Sequence, residues 1–306
     1  MKNILVVGSS NTDMVLRVPR IPRPGETILG GSFAMAAGGK GANQAVAAAR
    51  AGGRVTFVAR VGDDVFGERA LANFATDGLE TRFIVRTPGS SSGVALINVD
   101  ARGENSISVA SGANARLSVE DVIEAEAAFA AADIVLLQLE SPLGTVEAAA
   151  RKAGERGVPV VLNPAPACPL EDRLLRRIAV LTPNEHEAEI LSGIAVAEKH
   201  GAREAAARLR ARGPETVVIT LGERGVYASG SEFEGLIPAF KVDPVDSTAA
   251  GDVFNGALAV ALAEKATLPD ALRFAQAAAA ISVTRPGAQP SAPTRAEIDA
   301  FLADRS

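Results

Sequence analysis

Ile4-Leu5-Val6-Val7 runs straight into Gly8, and this short apolar, mostly β-branched run closed by a glycine reads as a buried strand ending at a turn. The same signature returns at Val55–Ala59, Ile134–Leu139, Val158–Leu162, Ala179–Leu181 and Thr216–Leu221. Between these runs lie alanine-rich amphipathic stretches at Ala42–Ala51, Val119–Ala131, Thr145–Glu155 and Arg203–Arg212, which have helix-forming composition at helical spacing. Such alternation predicts a largely parallel sheet covered by helices on both faces. From Thr248 onward the pattern turns almost entirely helical, over Ala250–Glu264, Pro269–Thr284 and Ala296–Ala303.

Two segments break the rhythm. Residues 13–33 and 93–109 show short alternating runs separated by Pro and Gly, such as Val15-Leu16-Arg17-Val18 and Val94-Ala95-Leu96-Ile97-Asn98-Val99. They read as strands outside the main sheet, either a small lid that keeps water from a reacting group or two surface hairpins. Apolar edge strands of this kind also invite pairing with a second copy, so a homodimer through the lid is expected. The expected architecture is a three-layer α/β/α, Rossmann-like, mostly parallel sheet with a small β-sheet lid, in one domain spanning residues 1–306.

Composition excludes several classes of function. With 31 Lys and Arg against 36 Asp and Glu, the net charge of −5 offers no basic field for nucleic acid or a membrane surface. Cys168 is the only cysteine, so an intrachain disulfide is ruled out and a reducing, cytoplasmic setting fits. His186 and His200 are the only histidines, which disfavours histidine-rich metal sites and a Ser-His-Asp hydrolase. No stretch approaches the roughly 20 apolar residues of a membrane span.

The segment Asp246-Ser247-Thr248-Ala249-Ala250-Gly251-Asp252-Val253-Phe254-Asn255-Gly256-Ala257 places small residues just before an apolar helix. The N–H groups of Ala249, Ala250, Gly251 and Asp252 could converge on one anion there, aided by the positive end of the helix dipole. Asp252 would then stand beside that hole as a base for an attacking hydroxyl, or be an ordinary first-turn acid. Gly38-Gly39-Lys40-Gly41-Ala42-Asn43-Gln44-Ala45 combines glycines that admit close backbone approach with Lys40 and Asn43 as donors for sugar hydroxyls. Neither the P-loop frame nor the Gly-x-Gly-x-x-Gly frame of dinucleotide binders is present. Asn11 and Asp13, just past the first strand, suit hydroxyl binding or simple turn chemistry. Asn184 and Glu187 form a capping pattern or hold Mg²⁺. Thr220, Gly222 and Gly225 end a strand, where they admit nucleotide phosphates or make a hairpin turn.

Together these motifs resemble the ribokinase family of carbohydrate kinases over nearly the whole chain, with Gly38–Ala45 similar to its sugar-contacting glycine motif and Asp246–Gly256 to its signature. The resemblance implies that Asn11, Asp13, Gly39, Lys40, Asn43 and Glu140 bind ribose while Asp252 deprotonates its primary hydroxyl. It implies that Asn184, Glu187, Thr220, Gly222 and Gly225 serve ATP and Mg²⁺, with Gly251 in the anion hole. It also implies a K⁺ loop formed by Asp246, Thr248, Ser282, Arg285, Gly287 and Ser291, partly through backbone carbonyls. Gln276 stands where the family often has a histidine beside adenine, and Pro286 interrupts the cation loop. The expected activity is ATP-dependent phosphorylation of ribose. A kinase for deoxyribose, fructose or a nucleoside is the alternative within the family, and a non-catalytic sugar-binding regulator the alternative outside it.

Overall fold

The computed structural model describes residues 1–197 and 200–305. Its strands are β1 (Asn3–Val7), β2 (Asn11–Arg17), β3 (Ser32–Gly38), β4 (Arg54–Gly62), β5 (Ile84–Thr87), β6 (Gly93–Val99), β7 (Asn105–Ala110), β8 (Ile134–Leu137), β9 (Val160–Leu162), β10 (Val180–Leu181), β11 (Thr216–Thr220), β12 (Val226–Ser229) and β13 (Glu234–Ile237). Its helices are α1 (Lys40–Arg50), α2 (Val65–Thr76), α3 (Val119–Glu124), α4 (Glu126–Ala131), α5 (Leu143–Glu155), α6 (Asp172–Leu175), α7 (Glu185–Ser192), α8 (Gly201–Arg210), α9 (Ala250–Ala263), α10 (Leu268–Ser282) and α11 (Arg295–Ala303).

Nine strands form one sheet in the order β13-β12-β11-β10-β9-β8-β1-β4-β5. The run from β11 to β5 is parallel, and β12 and β13 add an antiparallel edge. Alternate side chains explain the two helical layers, because successive residues of a strand point to opposite faces. Ile4 and Val6 of β1, with Ile134 and Leu136 of β8, join the core under α1, α9, α10 and α11. Leu5 and Val7, with Val135 and Leu137, join the core under α3, α5, α7 and α8. The expected three-layer α/β/α architecture is therefore present.

The segments that break the sequence rhythm make a second sheet, β3-β2-β6-β7. Its central pair, β2 with β6, is parallel and its outer pairs are antiparallel. The third strand reaches Gly38, beyond the Phe33 end expected from sequence. One face holds Asp13, Ala95 and Val109 in register; the other holds Leu16 opposite Phe33, and Met14 opposite both Met35 and Leu96. Leu16, Phe33, Met35 and Leu96 of this second face are exposed.

The stretch expected as one helix over Val119–Ala131 divides at Ala125, which closes α3 and opens α4. Among the described residues no helix is long and apolar enough to cross a membrane.

Candidate active site

The site forms where α1 and α9 begin, beside the carboxyl end of β1 and under the small sheet. Ser9 sits immediately past β1; its Oγ donates to Glu140 Oε2 at 2.6 Å and accepts from the Gly41 N–H at 3.2 Å. The Lys40 N–H donates to the same Glu140 oxygen at 2.9 Å, and the Ala42 N–H to the Ser9 carbonyl at 2.8 Å. Glu140 is thus an anion already seated at the N-terminus of α1.

Asp252 lies in the first turn of α9 and is buried. Asn43 Nδ2 donates to its Oδ2 at 3.0 Å and Gln44 Nε2 to its Oδ1 at 2.9 Å. Burial pushes its pKa above the usual carboxylate value, against the pull of the Lys40 ammonium and the two amide donors. A carboxylate held in place yet biased toward taking a proton has the character of a general base. Burial would lower the Lys40 ammonium, but the charges of Asp252, Glu140, Glu187 and Asp13 carry it above the ordinary lysine value. Asp13 enters from β2, and burial, then the Glu140 and Asp252 charges, raise it to about 6.

At the start of α9, Ala249 takes a left-handed conformation, φ 59°, which costs a non-glycine residue about 1 kcal/mol and turns the chain sharply into the helix. The Ala250 N–H, expected in the anion hole, instead donates to the Ser247 carbonyl at 3.2 Å, closing the turn that bends the chain. Among the described residues the N–H groups of Ala249, Gly251 and Asp252 have no acceptor. A Cβ added to Gly251 would meet no atom of the described residues within 4 Å, so the glycine keeps open a space that they do not fill.

The glycines ahead of α1 behave differently. A Cβ at Gly38 would lie 2.2 Å from the Asp13 carboxylate, at Gly39 2.6 Å from the Asn11 nitrogen and at Gly41 2.5 Å from the Ser9 nitrogen. These positions admit the protein's own Asp13, Asn11 and Ser9. Asn43, expected as a free donor to sugar, is bound to Asp252 and accepts from Gln289. Asn11 is buried, and its Oδ1 accepts from Asn114 Nδ2 at 2.7 Å. A cavity of about 340 Å³ is lined in part by Asn11, Val109, Ser111, Asn114, Glu140 and Pro166.

Farther along the sheet edge, Asn184 and Glu187 form a complete capping box on α7. Glu187 is buried and raised by that burial, despite the Asn184 N–H and the charge of Lys40. Thr220 bridges to Asn184 from the end of β11. Gly222 and Gly225 form the tight turn between β11 and antiparallel β12, so the hairpin role is real. A Cβ at Gly225 would strike the Ile237 carbonyl at 2.1 Å, whereas one at Gly222 would meet nothing. Gln276 Nε2 donates to the Ile237 carbonyl at 3.3 Å, and among the described residues its buried Oε1 has no partner.

Asp246 ties the two loops expected to hold a cation. Its Oδ1 accepts from the Thr248 N–H and Oγ1, and its Oδ2 from the Gly287 N–H at 2.8 Å. The Ser282 and Ser291 hydroxyls donate back to the Ala279 and Ala288 carbonyls, and the Arg285 guanidinium turns to Glu297. Any part Arg285 plays toward a cation therefore falls to its backbone, whereas the Ser282 and Ser291 hydroxyl oxygens keep lone pairs that can still accept.

Sequence reasoning missed a buried set of uncharged groups. Gln44 also donates to Asn163 Oδ1 and accepts from Gln138, Asn163 donates to the Thr182 carbonyl, Thr182 to Asn255, and Asn255 to the Gly251 carbonyl. This set links the carboxylate of Asp252 to the backbone beside the open space.

The family model described as pfkB family carbohydrate kinase matches residues 1–295. The chain belongs to that family. It is 49% identical to the ribokinase of Haemophilus influenzae over 98% of both chains. A crystal structure of ribokinase from Thermotoga maritima matches with 40% identity and a TM-score of 0.90, covering 99% of this chain and 100% of that one. The Arabidopsis thaliana ribokinase complexed with ribose and ATP matches with 32% identity and a TM-score of 0.91, covering 98% of each chain.

Proposed function

We propose that this member of the family transfers the γ-phosphoryl group of ATP to the primary hydroxyl of D-ribose. The observation that carries the reading is a buried carboxylate with a raised pKa, Asp252, in the first turn of a helix where, among the described residues, the N–H groups of Gly251 and Asp252 have no acceptor and the space at Gly251 is open. The similarity to ribokinases, one of them complexed with ribose and ATP, supports the choice of sugar and nucleotide.

In the reaction, Asp252 takes the hydroxyl proton as the sugar oxygen bonds to the γ-phosphorus and the bond to the ADP oxygen breaks in line. The N–H groups of Gly251 and Asp252 stabilise the charge that spreads over the transferring phosphoryl oxygens. Lys40, Glu140, Asp13, Asn11 and the Gly39 backbone surround the sugar, and Asn43 serves it while holding the base. Asn184, Glu187, Thr220, Gly222, Gly225 and Gln276 serve the nucleotide. Among the described residues no group of three or more His, Cys, Asp or Glu could hold a metal alone. A single buried carboxylate, Glu187, fits Mg²⁺, which takes few carboxylates beside waters and phosphates; it would hold the ion, which when bound neutralises phosphate charge. Monovalent K⁺ fits the loops tied by Asp246, and when bound it would fix the approach to α9 through the backbone there. The small sheet acts as the lid through its Asp13 face, and its exposed apolar face suits a second copy of the chain in a cytoplasmic homodimer.

The test is coupled phosphorylation with ribose, 2-deoxyribose, fructose and a nucleoside, with and without potassium. Ribose should give the highest kcat/KM, and Asp252→Asn should lose roughly 10²-fold or more in kcat while staying folded. Near-normal turnover by that variant removes Asp252 as the base, and preference for another acceptor reassigns the sugar.

A further inference from the structure

Gln289 lies in the turn after α10, far in sequence from the base, yet it is buried and reaches the base through Asn43. Its Nε2 donates to Asn43 Oδ1 at 3.2 Å, and Asn43 Nδ2 donates to Asp252 Oδ2 at 3.0 Å. Arg50, at the other end of α1, clamps the turn: Nη1 donates to the Gln289 carbonyl at 2.8 Å and to the Ala292 carbonyl at 3.2 Å, while Nε donates to Asp77 at 2.8 Å. An amide can present either its oxygen or its nitrogen, and turning Asn43 over would aim an oxygen at a buried carboxylate. A donor on the far side of Asn43, carried on a turn whose backbone Arg50 holds, opposes that turn.

We propose that Gln289 is a positioning residue for the base: its N–H fixes the orientation of the Asn43 amide and so keeps a donor on Asp252. This rests on the reading of Asp252 as the base. The donor favours the charged carboxylate, so losing it raises the pKa of the base and moves the acid limb of kcat against pH upward. Lys40 of α1, Glu140 beyond β8, Glu187 of α7 and Asp13 of β2 also act on Asp252. All four are unchanged by a substitution at 289, so the shift isolates the amide.

Gln289→Met keeps the length and removes the donor. In the full chain with ribose and ATP, it should move the acid limb up by about one pH unit and so lower kcat up to roughly tenfold at pH values below that limb, with KM for ATP within about twofold. On an Asn43→Ala background the same change should move the limb no further. Should the Met variant fail to fold, Gln289→Glu, equal in size but presenting acceptors, should shift the limb in the same direction, and Asn43→Ala should reduce that shift. A limb unmoved by either variant, or a shift undiminished on the Asn43→Ala background, overturns the role. Turnover by Asp252→Asn would fail the functional reading; an inactive Asp252→Asn with unshifted Gln289 variants would fail only this one.

Discussion

Helices α1 and α9 pack side by side, with Gly256 of α9 close against the Gln44 carbonyl, and both begin with small residues at the same site. Their first turns are in opposite states. At α1 the N–H groups of Lys40, Gly41 and Ala42 are all satisfied by Glu140 and Ser9, so the protein supplies the anion itself. At α9 the N–H groups of Gly251 and Asp252 have no acceptor among the described residues, and the space before them is open. The same helix-end physics thus makes a closed clamp at one terminus and an open receptor at the other. Glycine content does not distinguish the two; what a Cβ would strike does.

That contrast is broken most directly by the same substitution at both ends. Gly251→Ala places its methyl in open space and gains helix propensity, so thermal stability should hold or rise slightly. Its kcat should nevertheless fall roughly 10–10³-fold, because the methyl intrudes where charge must be received. Gly41→Ala drives a methyl within 2.5 Å of the Ser9 nitrogen, so it should destabilise the chain by about 1–3 kcal/mol in denaturant unfolding. A fully active Gly251→Ala would end the idea that α9 receives an anion. A Gly41→Ala as stable as the parent would show that the closure of α1 is not steric.

The sequence displayed the α/β alternation because strands such as β8 are buried along their whole length and read as continuous apolar runs. It did not display α2, whose buried contribution is confined to Gly67 and Phe74, nor the short, partly exposed β13. The break at Ala125 carries no Gly or Pro to mark it. Asp252 and Lys40 were legible because a charged residue amid small ones at a helix start is locally unusual. Gln44, Asn163, Thr182, Asn255 and Gln289 were not. Buried uncharged polar groups look like ordinary core or loop positions in one dimension, and their meaning comes only from partners such as Asp252, 208 residues from Gln44.

The closed end of α1 depends on the charge of Glu140, which sharpens the comparison at smaller scale. Glu140→Gln keeps the shape but removes the anion from the helix dipole and weakens two hydrogen bonds, so a stability loss of about 1–2 kcal/mol is expected. Chemical denaturation of the ligand-free chain measures it. Equal stability would mean that neutral groups suffice at this terminus, and the contrast with α9 would then rest on sterics alone.

The smallest effect concerns Asp13, which brings a further negative charge over the closed end of α1. Burial, then Glu140 and Asp252, raise its pKa from the ordinary 3.8 to about 6. The folded chain therefore holds this proton more tightly than the unfolded chain does. Its contribution to stability is fully present below about pH 4 and is lost as pH rises through about 6. Asp13→Asn should flatten that fall and leave the ligand-free chain about 1 kcal/mol more stable at pH 7, while on the proposed role it should bind sugar less well. Asp252 and Glu187, also raised, keep part of the slope in place. Identical stability profiles for parent and variant between pH 4 and 7 would show that Asp13 feels no such crowding. A flattened profile would mean that the ligand-free chain is under charge strain at Asp13, which, on the role proposed for Asp13, a sugar hydroxyl donating to it would relieve.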